Sequence, residues 1–119
     1  MSKKISWEDR YDNDGLTYLK DTDELFTGTL ERCHDNGQVG VLTQYLNGRP
    51  DGLNQYFHEN GQLSERSNWK DGKENGLTEK FDKEGVLTDT SMFDMGELLE
   101  EKAFTQDDGY IKIEKPSKD

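Results

Sequence analysis

The sequence predicts an all-β fold, a single-sheet antiparallel meander of tandem β-hairpins with a 24-residue period. Three observations predict it. Glycines recur in columns at that period, apolar residues recur in the same register, and Asn-Gly or Asp-Gly pairs fall where hairpin turns belong.

The glycine columns come first. Gly28, Gly52 and Gly76 form one; Gly37, Gly61 and Gly85 form a second, continued by Gly109; Gly48, Gly72 and Gly96 form a third. Turns need backbone with positive φ, which glycine adopts without steric cost, so these are read as the repeat's turn glycines. The apolar columns keep the same step: Val39, Leu63 and Leu87; Tyr45, Trp69 and Phe93; Cys33, Phe57 and Phe81; and Leu53 with Leu77. They are the expected core ladder. Between the leucine and aromatic columns sit the small Thr43, Ser67 and Ser91.

Within a unit, Leu63, Glu65, Ser67 and Trp69 alternate with period two, which is the period of a strand and places them on one face. The expected sheet carries aromatics and leucines on one face, charge and hydroxyls on the other, and twists or curls over its apolar side. Burial on one side only calls for a cover, either a terminal segment or a second copy.

Asn36-Gly37, Asn47-Gly48, Asn60-Gly61 and Asp71-Gly72 are hairpin-turn signals. Two registers fit Asn60-Gly61. A two-residue loop pairs His58 with Leu63; a three-residue loop, with Gly61 as a left-handed bulge residue, pairs Phe57 with Leu63. The second is favoured, because position 57 is Cys, Phe and Phe across the repeats, whereas its neighbour is Arg32, Tyr56 and Lys80.

The ends depart from the pattern, as terminal repeats of a stack do. Residues 1–14 read as a flexible N-terminal segment, 15–113 as the repeat domain with regular units over 28–96, and 114–119 as a flexible tail. Gly15 to Leu19 reads as a strand, Lys20 to Glu24 as a longer turn, and Leu98 to Phe104 as a strand or a short helix.

Composition suits a thin, one-sided structure. Apolar residues make up 29% against 34% charged, where a globular chain carries about 45–50% apolar with glycine counted. Such values approach those of disordered chains. The regular placement of the aromatics argues against disorder. The net charge of −11 repels nucleic-acid phosphates and anionic lipid, so neither nucleic acid nor membrane is an expected partner. Acidity either keeps a marginal sheet soluble or meets a basic protein surface. The single cysteine excludes an intramolecular disulfide. No leader-like start and no apolar run of about 18 residues is present, so a soluble cytoplasmic protein is expected.

Candidate chemistry is sparse. His34 and His58 share a repeat position with Asp82, but equivalent positions lie two strands apart, about 9–10 Å, too far to share a metal ion. They read as surface histidines kept by duplication. Cys33 aligns with Phe57 and Phe81 and reads as a small buried thiol; adjacent His34 points to the opposite face and could not activate it. No cofactor, metal or catalytic residue is expected, and the chain reads as a non-enzyme. The acidic groups read as solvated turns or, alternatively, a binding patch. Interface candidates are Trp7, Tyr11, Tyr18, Tyr56, Glu97, Glu100, Glu101, Asp107, Asp108 and Tyr110, since Tyr and Trp are enriched in binding hot spots.

The unit from Tyr45 through Asn47-Gly48, Gly52, Tyr56 and Asn60-Gly61 to Leu63 resembles the variant MORN repeat of many bacterial proteins, and Trp69 to Leu87 repeats it. Leu25-Phe-Thr-Gly28 followed by Asn36-Gly37-Gln38 looks like the start of the YwqK-type family, whose label is the antitoxin half of toxin–antitoxin systems; related repeats occur in immunity proteins. The resemblance covers residues 15–96. It implies a repeat scaffold without catalytic residues and an antitoxin or immunity protein that occludes a toxin or effector with a basic surface. The alternative is a structural scaffold that self-associates, for which a homodimer is expected, or that organises a cytoplasmic complex.

Overall fold

The structure, a computed structural model, describes residues 3–104 and the strand at 112–114. Its elements are β1 (Lys4–Ser6), a 3-10 turn (Trp7–Asp9), β2 (Arg10–Asn13), β3 (Leu16–Leu19), β4 (Gly28–Cys33), β5 (Val39–Leu46), β6 (Arg49–Phe57), β7 (Leu63–Lys70), β8 (Lys73–Glu74), β9 (Gly76–Phe81), β10 (Leu87–Asp94), β11 (Glu97–Ala103) and β12 (Lys112–Glu114). A ten-stranded sheet runs β1-β4-β5-β6-β7-β9-β10-β11-β12, with β8 paired to β7; β2 and β3 form a separate hairpin. β8 and β9 together are the counterpart of continuous β6 one repeat earlier, interrupted at Asn75.

From β4 onward every pairing is antiparallel, so the predicted hairpin meander is the fold. β1 departs from it by running parallel to β4, with Ile5 beside Leu30. Residues 98–103 take the strand alternative.

Two kinds of turn alternate along the meander. At one edge Cys33 pairs with Val39, Phe57 with Leu63 and Phe81 with Leu87. Gly37, Gly61 and Gly85 there have φ of 87–91°. This is the three-residue loop with a left-handed glycine, the favoured register. At the other edge Asn47-Gly48, Asp71-Gly72 and Met95-Gly96 have positive φ at both residues, the hairpin turn whose twist matches its strands.

Each turn is also tied to the neighbouring repeat. The Gly72 amide donates to the Pro50 carbonyl and the Gly96 amide to that of Glu74, at 2.8 and 2.7 Å. Beside them the Asp71 amide donates to an Asp51 carboxylate oxygen and the Met95 amide to Asn75 Oδ1. Thus a period set by sequence becomes a period of inter-repeat hydrogen bonds.

The buried apolar core is small and sits at one end. Ile5, Leu19, Phe26 and Leu30 compose it among the described residues, and Tyr45 packs against it. The β2–β3 hairpin and the strand-like residues after it fold back over β4 and β5, anchored where the Thr17 amide meets the Gly48 carbonyl and the Gly48 amide meets that of Phe26. A terminal segment is therefore the cover of this part of the sheet face.

Two expectations are corrected here. The segment 1–14, read as flexible, carries β1, the 3-10 turn and β2 over its described part, because Ile5 fills the core against Leu30. The expected core ladder is not the buried core. Cys33 and Leu77 are exposed, and Val39, Tyr45, Leu53, Phe57, Leu63, Trp69, Phe81, Leu87 and Phe93 are half-buried. The N-terminal cover stops at β5, and beyond it the large apolar side chains of the repeats stay half-buried or exposed. Gly109 and residues 115–119 lie outside the described residues. Among the described residues no helix is long and apolar enough to cross a membrane.

Candidate functional site

Strand register arranges one face of the sheet in rows. Arg32, Val41, Tyr56, Glu65, Lys80 and Asp89 are successive cross-strand partners in one row. Two residues along each strand, on the same face, the next row begins Leu30, Thr43, Asn54, Ser67, and Thr78 with Ser91 continues it beyond β7. In a third row each aromatic faces a glycine: Tyr45 opposite Gly28, Trp69 opposite Gly52, Phe93 opposite Gly76. An aromatic paired across from glycine supplies the side-chain contact the glycine lacks.

The middle row is polar and buried. Asn54, Ser67 and Thr78 are only 4%, 1% and 4% exposed. Burial of such groups demands partners. Thr43 Oγ1 donates to Asn54 Oδ1, Trp69 Nε1 donates to Ser67 Oγ at 2.9 Å, and Thr78 Oγ1 donates to Glu74 at 3.0 Å. Hydroxyls and aromatics therefore share one face, against the expected separation. The row is small because the larger side chains on either side close over it.

Glu65 lies in the outer row between Tyr56 and Lys80. Burial holds its carboxyl above the ordinary range; Lys80 opposes that shift and Glu74 reinforces it. An acid with a raised folded pKa contributes stability below its unfolded pKa and loses it as pH rises through the folded value. Glu65→Gln is therefore expected to raise the melting temperature at pH 7 and to leave it unchanged near pH 3, about one unit below the free carboxyl's pKa. Thermal melts at both pH values read this directly.

At the capped end, the rows meet the N-terminal segment in a cleft of about 260 Å³. Trp7, Tyr45 and Tyr56 line it together with Leu30, Val41, Arg32 and Thr43. The 3-10 turn puts Trp7 there, with the Arg10 and Arg32 guanidiniums 3.6 and 4.4 Å from its ring centroid. Arg10 is also ion-paired to Asp12 at 2.9 Å, and its Nε is buried without a partner. Tyr45 has its phenol pushed up by burial, although a hydrogen bond with Thr17 acts the other way.

The interface candidates separate into groups. Trp7 and Tyr56 come together in the cleft, 37% and 41% exposed. Tyr11 and Tyr18 stack on the capping hairpin with centroids 5.4 Å apart, and the Tyr11 hydroxyl donates to Asp23, which raises its pKa. Glu97, Glu100 and Glu101 lie on β11, at the other end of the sheet. Asp107, Asp108 and Tyr110 lie outside the described residues. Sequence reasoning missed Arg10, Arg32 and Val41. The one signal for Arg32 was its place in the Arg32, Tyr56, Lys80 column, which looked merely non-apolar but is the outer row of the face.

His34 and His58 join neighbouring repeats. The His34 ring Nε2 is 2.7 Å from the Phe57 carbonyl, and that of His58 is 2.9 Å from the Phe81 carbonyl. Asn36 and Asn60 donate in parallel to the carbonyls of Glu59 and Lys83. No group of three His, Cys, Asp or Glu that could hold a metal ion occurs among the described residues. His58→Ala is expected to cost about 1 kcal/mol in urea denaturation, while added Zn²⁺ leaves the melting temperature of the unmodified chain unmoved. Cys33, expected to be buried, is exposed. It sits at the strand end where the register shifts beside Arg32.

No protein-family model matches the chain, and no curated protein matches it. Among solved structures it is similar to the crystal structure of TarM, with 14% sequence identity and a TM-score of 0.44. The likeness covers 87% of this chain but spans only 18% of that one.

Proposed function

We propose that this chain is a non-enzymatic protein-binding repeat module that neutralises a partner toxin or effector by occlusion, as an antitoxin or immunity protein. The observation that carries the reading is the sheet face beyond β5. It is an extended surface with half-buried aromatics, the exposed Tyr56 and charged outer-row side chains, on a chain of net charge −11. Binding surfaces draw on Tyr and Trp anchors, and an acidic protein steers a basic partner toward it. The resemblance of the repeat to YwqK-type antitoxins supports the same reading. Affinity capture from native lysate, with co-expression beside the neighbouring gene, tests it. A basic protein that co-purifies and whose toxicity is relieved supports it; absence of both defeats it.

One observation favours the self-associating scaffold as the second reading. On the opposite face Leu77 and Met92 are direct cross-strand partners and both 38% exposed. Adjacent exposed apolar side chains are a contact for a second copy. Light scattering separates the readings, since a monomer at high concentration removes the scaffold.

A further inference from the structure

The cleft at the capped end brings aromatic rings and a guanidinium together. Its volume of about 260 Å³ suits a single ring, and Leu30 and Val41 are apolar residues of its lining. The two guanidiniums near Trp7 differ. Arg10 is occupied by Asp12. Arg32 is exposed, lies 4.4 Å from the Trp7 centroid, and makes no ion pair among the described residues. A guanidinium steadied against an aromatic ring and lacking a carboxylate is a fork set for one.

We infer that this cleft binds the C-terminal residue of a partner polypeptide ending in an aromatic side chain, with the ring between Trp7 and Tyr56 and the terminal carboxylate on Arg32. A chain terminus puts a ring and a carboxylate on adjacent atoms, which is the pairing the cleft offers. The preceding residues have a path: Tyr56 stands opposite Glu65, so the row continues from the cleft across the open face. That continuation favours a polypeptide over a free aromatic acid. The inference rests on the reading of the chain as a protein-binding module, but its test uses defined peptides and no native partner, so either can fail alone.

The test titrates the ¹⁵N-labelled full chain with acetyl-Gly-Gly-Gly-Phe, with its C-terminal amide and with phenylacetate, following the two indole N–H signals. The expected result is a saturable shift of the Trp7 signal with Trp69 unmoved. The amide and phenylacetate bind about fivefold more weakly or worse, and Arg32→Gln weakens the free-acid peptide about tenfold, the loss of one charge-assisted pair. Because Arg32 is exposed, that variant keeps the rest of the spectrum. Equal affinity for peptide and amide overturns the carboxylate contact. Phenylacetate binding as tightly as the peptide overturns the polypeptide in favour of a small acid. A silent Trp7 signal overturns the site.

Discussion

Phe26→Ala is expected to lower stability by about 3–5 kcal/mol, the usual cost of truncating a buried phenylalanine. The side chain is fully buried and contacts the Tyr45 ring with centroids 5.7 Å apart. Ile5, Leu19 and Leu30 complete the buried cluster, so no second apolar core is available among the described residues to absorb the loss. Against a total of about 5–15 kcal/mol for a domain, this is a large share, and the melting temperature is expected to fall by about 10–25 °C. The matched control is Leu77→Ala, in a column that looked equally apolar in sequence. Leu77 is exposed, and its loss is expected to cost about 1 kcal/mol or less. Equal effects at the two positions would place the core in the repeats and contradict the structure.

The second large effect is expected at Gly28. Its φ is +146°, and a Cβ there would lie far inside contact distance of the Lys3 carbonyl oxygen. That carbonyl accepts the Thr29 amide at 2.7 Å, so the added methyl group must displace the entry into β1. Gly28→Ala is expected to cost about 3 kcal/mol, from backbone strain and overpacking together, and to open the N-terminal segment to limited proteolysis. Gly15→Ala is the control. Its φ is +81°, but nothing lies within 4 Å of the added atom, leaving only the left-handed strain of about 1–2 kcal/mol. In the sequence Gly28 reads as a turn glycine and Gly15 as the start of a strand, whereas in the structure Gly28 opens β4 and Gly15 precedes β3; the two differ in what passes beside them.

That difference marks how far the sequence could be read. The hairpin period, the turn types and the Phe57–Leu63 register follow from local chemistry: Asn-Gly pairs set positive φ, and alternation sets the strand faces. Burial does not follow in the same way. Val39, Leu63 and Leu87 form an apolar column, yet remain half-buried because no layer covers them. Ile5 and Phe26 lie outside that column and are buried, because β1 and the residues after β3 are brought back onto β4 and β5. That parallel pairing leaves no periodic trace.

The site was legible in part for the same reason. Trp7 and Tyr56 were among the interface candidates, since Tyr and Trp are enriched in binding hot spots, and they meet in one cleft. Arg32 did not stand out, since its role depends on a ring from the 3-10 turn 25 residues earlier in the chain. His34 and His58 were read as surface histidines two strands apart. Their contacts with the next repeat's carbonyls needed the loop geometry.

Native-state hydrogen exchange, resolved by strand, tests the central claim most directly: a repeat sheet whose apolar core lies under its N-terminal cover. Local stability in a stacked repeat follows its best-supported units. The amides of β4 and β5 are predicted to exchange slowest, with protection falling through β9 and β10 to β11. Maximal protection in β9 to β11, with β4 exchanging early, would contradict the account.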